Sequence, residues 1–142
     1  MKNRDPLTAT LLSLFVPFYI LYWLVQTGKT LTDRGAQVPS PLLLFSPFFA
    51  LLAFMIGIGF GTASGGDEGG LLMAVMFAVV LPLAIILTLV YYYKFSVAAE
   101  QATKGALSKV LLFILFWFVS PAAVFLIQEK LNSLDPASSP SK

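Results

Sequence analysis

The sequence predicts an all-α integral membrane protein, a helical bundle of four hydrophobic segments. Three observations carry that expectation. The 142 residues are 58% hydrophobic and 11% charged, with a mean hydropathy of +0.85, whereas a soluble domain carries about 25% charged residues. Four stretches, residues 7–25, 41–60, 71–93 and 110–127, contain no charged residue at all. Each matches the roughly 17–25 residues that cross a ~30 Å hydrocarbon core as helix. They belong to one membrane domain, residues 1–132.

The first segment starts at Asp5-Pro6, which sets a carboxylate at the N-cap and a proline where its missing N–H is harmless. Lys2 and Arg4 precede it as they would a signal peptide, but the apolar run is too long for a signal core and no small-x-small cleavage site follows. Ser40-Pro41 repeats the same start chemistry for the second segment. Segments two and three are joined by a nine-residue loop, Thr62 to Gly70, whose Gly65-Gly66-Asp67-Glu68-Gly69-Gly70 core reads as a flexible turn. Two carboxylates there fall short of the oxygens a Ca²⁺ site needs, and the spacing is not that of a nucleotide-binding loop.

Thirteen Leu, Ile, Val or Phe residues in the third segment favour insertion by roughly 4–8 kcal/mol before polar and proline costs. Its helix is expected to run on past the membrane through Lys94 to Lys104, supported by Glu100 four residues before Lys104. Gly105 should stop it, and Ser108 should cap the fourth segment. Residues 133–142, rich in Ser and Pro, read as a disordered tail.

One proline interrupts each segment: Pro17, Pro47, Pro82 and Pro121. Each removes a backbone hydrogen bond, so each is a kink or a bend. Two topologies follow. With four crossings, the Lys and Arg residues divide four to five between the two sides, which decides nothing. With segments one and four re-entrant, bending at Pro17 and Pro121, all nine lie on one side and loop 61–70 has none. That bias makes the shared side cytoplasmic in the re-entrant topology, and loop 61–70 is expected outside in either topology. Backbone groups at the bends would then need protein cover.

Gly57 and Gly61 form a small-x-x-x-small pair at the end of segment two, and Ala74 and Ala78 repeat the spacing in segment three. Small residues let helices approach closely in lipid, so the expectation is a contact inside the hairpin, with dimerisation through the glycines as the other reading. Tyr19, Tyr22 and Trp23 share one helical face, and Tyr91, Tyr92 and Tyr93 close segment three. Aromatics so placed anchor a helix at the headgroup level.

Two stretches resemble a family of small prokaryotic multi-pass membrane proteins of unknown function. The first runs from Arg4-Asp5-Pro6 through Leu11-Leu12-Ser13-Leu14-Phe15 to Tyr19-Ile20-Leu21-Tyr22-Trp23. The second runs from Tyr91-Tyr92-Tyr93-Lys94-Phe95 through Glu100, Thr103, Gly105 and Leu107-Ser108 to Ile127-Gln128 and Leu131-Asn132. Pro17-Phe18 stands where that family has Phe-Gly. The resemblance implies a prokaryotic cytoplasmic membrane and no particular chemistry.

The exclusions are sharper than the assignments. Without Cys or His, thiol nucleophiles, disulfides, imidazole bases and most transition-metal sites are absent. No segment carries an ionisable Asp, Glu, Lys or Arg, which ion-coupled transport ordinarily needs. The nine basic residues are scattered and do not form the one-face cluster that nucleic acid requires. The chain is therefore expected to be non-catalytic, with no cofactor or metal and no nucleic-acid partner. Its expected role is an accessory or assembly subunit in the bilayer, packed against another membrane protein or itself. The alternative is an oligomeric pore or passive carrier for a small neutral or apolar solute, for which four proline-bearing segments could open cavities.

Overall fold

The computed structural model describes residues 5–16 and 18–134; Pro17 and the tail beyond Leu134 lie outside the described residues. Every regular element among those described is helical: α1 (Pro6–Phe15), α2 (Tyr19–Asp33), α3 (Pro41–Ser64), α4 (Gly66–Val75), a π-helical stretch (Met76–Val80), α5 (Leu81–Ala102), α6 (Lys109–Phe118) and α7 (Ser120–Leu134). The chain forms two compact units, one of Met1–Pro39 with Tyr92–Lys142 and one of Ser40–Tyr91.

Two helices are long and apolar enough to cross a membrane: Pro41–Ser64, of 24 residues, and the continuous Gly66–Ala102, of 37. The expectation of four such segments is corrected to two. Segment one is split between α1 and α2, and segment four between α6 and α7. At about 1.5 Å per residue, a ten-residue helix reaches roughly 15 Å, half the hydrocarbon core. The physical cause at the second break is visible. Val119 adopts φ −142°, ψ 68°, ending α6, and Pro121 has no N–H with which to continue the ladder. At the first break Val16 turns extended (φ −116°, ψ 100°) while its N–H still closes on the Leu12 carbonyl at 2.8 Å.

In the first unit the two broken helices repeat each other. Ten residues, a break and fifteen residues make up α1 with α2 and again α6 with α7. The buried stripe is also the same: Trp23, Leu24, Thr27, Gly28 and Leu31 on α2, and Ala123, Val124, Ile127, Gln128 and Leu131 on α7. Such spacing is the core face of an amphipathic helix. The C-terminal part of α5 completes this core with Phe95, Ala98 and Ala99, and α6 adds Leu112 and Phe116. Tyr92 stacks on Phe116, with ring centroids 5.1 Å apart, and Phe95 meets Phe116 edge-on at 5.7 Å.

The expected caps form at both starts. Asp5 accepts the Leu7 N–H at 3.3 Å and Ser40 Oγ accepts the Leu42 N–H at 3.2 Å. α2 ends in a Schellman turn, with Gly35 at φ 81° and the Ala36 N–H on the Leu31 carbonyl. α5 ends in the same way, except that the left-handed position falls to Lys104 (φ 51°) as well as Gly105.

The second unit is a helical hairpin. The nine-residue loop expected there is almost entirely helix, with Gly65 alone between α3 and α4. Gly65 (φ 63°, ψ −177°) occupies a region that only glycine enters freely. Asp67 and Glu68 then fall in the first turn of α4, where carboxylates favour the helix dipole.

Two internal prolines lie within continuous helix. Pro47 cannot donate to the Leu43 carbonyl, and the Ser46 hydroxyl does so instead at 2.8 Å. Pro82 follows the π-helical stretch, where the Leu81 N–H reaches back five residues to the Met76 carbonyl. Widening the ladder there makes room for the proline ring.

Candidate functional site

The hairpin contact is built from glycines and methionines. A β-carbon on Gly57 would meet the Met76 side chain, with Cγ at 2.7 Å, and one on Gly61 would meet Met73 Cγ at 2.7 Å and the Gly69 carbonyl oxygen at 3.1 Å. One on Gly69 would collide with the Gly61 carbonyl oxygen. Phe54 and Phe77 meet edge-on at 5.1 Å beside them. The glycines of the predicted contact are therefore inside the hairpin, but their partners are Gly69, Met73 and Met76. Ala74 and Ala78 are exposed. Residues 69, 73 and 76 share one stripe at four and three residue steps, whereas 74 is turned about 100° from 73.

The aromatic anchors divide. Tyr22 and Tyr93 are exposed and Tyr19 and Tyr92 half-buried, but Trp23 and Tyr91 are buried. Trp23 lies within the core of the first unit, 6.2 Å from the Phe95 ring. Its indole N–H donates to Gln128 Oε1 at 3.0 Å, and Gln128 Nε2 donates to Asn132 Oδ1 at 2.9 Å. Arg34 Nη2 donates to the Leu131 carbonyl at 3.3 Å, where a cation complements the end of α7. This polar line ties α2 to α7. A buried group robbed of such a partner costs about 1–3 kcal/mol.

Glu100 does not serve the role its spacing to Lys104 suggested. Its Oε2 accepts the backbone N–H of Lys109, which caps α6 from α5. Ser108 occupies the N-cap position (φ −77°, ψ 129°) but makes no side-chain cap bond. Sequence reasoning thus missed Gln128 as the partner of Trp23, Glu100 as the cap of α6, and Gly69, Met73 and Met76 as the hairpin contact. Gln128 had one visible signal, the four-residue step to Asn132 on a helix face.

Among the described residues no group of three His, Cys, Asp or Glu gathers to hold a metal ion. Every buried side-chain nitrogen and oxygen among them has a hydrogen-bond partner. The arrangement holds helices together. No protein family, no curated protein and no solved structure matches this chain.

Proposed function

We propose that this chain is a small integral membrane protein without catalytic activity, an accessory or assembly subunit packed against other membrane proteins. We further propose that it resides in the cytoplasmic membrane of a prokaryote, with residues 61–70 outside. Two helices support the membrane reading. In the most apolar stretches of Pro41–Ser64 and Gly66–Ala102, only 17% and 6% of residues are buried. Apolar helices so uncovered are at home in lipid and would aggregate in water.

The observation that carries the subunit role is the pair of helix breaks. Phe15, Val16 and Phe18 are exposed around the first, and Trp117, Phe118 and Val119 around the second. A helix end releases carbonyls with no intrahelical partner, and lipid supplies none. Exposed apolar side chains beside such helix ends suit another protein surface better than either water or hydrocarbon.

Photo-crosslinking groups at Phe15 and Phe118, activated in native membranes, test the reading. Adducts of defined mass that persist through mild-detergent purification are expected. Recovery of the chain solely as an uncrosslinked monomer overturns it.

A further inference from the structure

In the first unit a cleft of about 320 Å³ opens beside the C-terminal end of α5, within the size range of small-ligand sites. Its polar lining is Gln37, Tyr93, Lys94 and Gln101, and its apolar lining is Val38, Pro39 and Val97. The lining holds one cation, no carboxylate, and hydrogen-bond donors on Gln37, Tyr93 and Gln101. Gln101 Oε1 accepts the Gln37 backbone N–H at 3.3 Å, which orients the amide and leaves its NH₂ as a donor. Lys94 brings three N–H groups and no acceptor. Neither the Lys94 ammonium, the Gln101 NH₂ nor the Gln37 side-chain amide has a protein partner among the described residues. Such a set of donors around one cation fits an oxyanion with several acceptor oxygens.

The cleft also has a distinctive place along the chain. Lys94 is the first charged residue after the apolar run 71–93, and exposed Tyr93 precedes it. In a membrane-spanning α5, that junction falls at headgroup depth. We propose that the cleft binds a phosphate group, and specifically the phosphodiester of a phospholipid headgroup. The Lys94 ammonium takes one non-bridging oxygen, the Gln101 and Gln37 amides take the other, and Val38, Pro39 and Val97 lie against the glycerol. The choice of lipid over free phosphate rests on the membrane reading above; the phosphate chemistry does not.

The test uses the full chain in nonionic detergent, titrated separately with phosphatidylglycerol, diacylglycerol and inorganic phosphate and read by native mass spectrometry. One phosphatidylglycerol per chain and no retained diacylglycerol are expected. Lys94→Gln should raise the apparent Kd about tenfold, and Val97→Trp should abolish saturable binding by filling the cleft with the charge intact. Lys29→Gln, on the exposed side of α2, should bind as the parent does. Inorganic phosphate that displaces the lipid at equal concentration supports the phosphate site and makes the free ion its occupant. Equal losses in the Lys94 and Lys29 variants, or diacylglycerol bound as well as phosphatidylglycerol, overturn the proposal. A chain soluble without detergent overturns the membrane reading instead, and the inorganic phosphate arm still reports on the cleft.

Discussion

At Gly69 a β-carbon would run into the carbonyl oxygen of Gly61, which belongs to a backbone that cannot move without opening the hairpin. At Gly57 the obstacle is the Met76 side chain, which can swing aside, while Gly59 and Gly70 face open space. The four positions therefore separate packing from helix propensity. Gly69→Ala should destabilise by about 1–3 kcal/mol through overpacking, and Gly57→Ala should cost less. Gly59→Ala and Gly70→Ala should gain up to about 1 kcal/mol, because alanine is the better helix former. Thermal unfolding followed by helicity in one detergent checks the order; equal midpoints for all four would mean that the glycine face packs against nothing.

The elements of this protein are defined as much by how they end as by what they contain. α6 begins where Glu100, on α5, accepts the Lys109 N–H, so the start of one helix is held by the side chain of the preceding one. A carboxylate at a helix start gains from the dipole as well as from the hydrogen bond. Glu100→Gln keeps an acceptor and should cost about 1 kcal/mol, whereas Glu100→Ala leaves the N–H without it and should cost about 1–3 kcal/mol. Amide hydrogen exchange at Lys109 and Val110 reads this directly, and faster exchange in both variants with the order Ala over Gln is expected. Unchanged exchange in Glu100→Ala would show that the bond does not hold the helix start.

For the whole molecule, the division of segments one and four into short helices favours the topology in which only Pro41–Ser64 and Gly66–Ala102 cross. All nine Lys and Arg then lie on one side, as the charge bias of cytoplasmic loops favours. Single cysteines in this Cys-free chain test it with an impermeant thiol reagent on intact cells. Asp33, Ser64 and Ala106 are exposed and suit the purpose, whereas Gly28 is buried against Val38. Together with Asn3 and Ser138, they make a complete set. Labelling at Ser64→Cys alone is expected; labelling at Asn3→Cys and Ser138→Cys as well would restore four crossings, and labelling at Asp33→Cys and Ala106→Cys alone would invert the orientation.

What the sequence determined by itself is local. The caps at Asp5 and Ser40, the apolar lengths of α3 and of Gly66–Ala102, and the stop near Gly105 all follow from interactions a few residues long. The glycine spacing of the hairpin was visible in the sequence, since small side chains at four-residue steps permit a close approach of helices. Their partners were not: once Gly65 alone makes the turn, each residue along α4 rotates the contacting face by about 100°, and that rotation brings Met73 and Met76 inward and turns Ala74 and Ala78 out. Trp23 reads in sequence like its neighbour Tyr22, and only the packing of α2 against α7 makes one an interior donor to Gln128 and leaves the other exposed. Glu100 found its partner at Lys109 rather than Lys104 because the turn after α5 brings the start of α6 back to its carboxylate. Pairings of this kind depend on where separate helices come to rest, and that is decided by tertiary contacts that no short window of sequence contains.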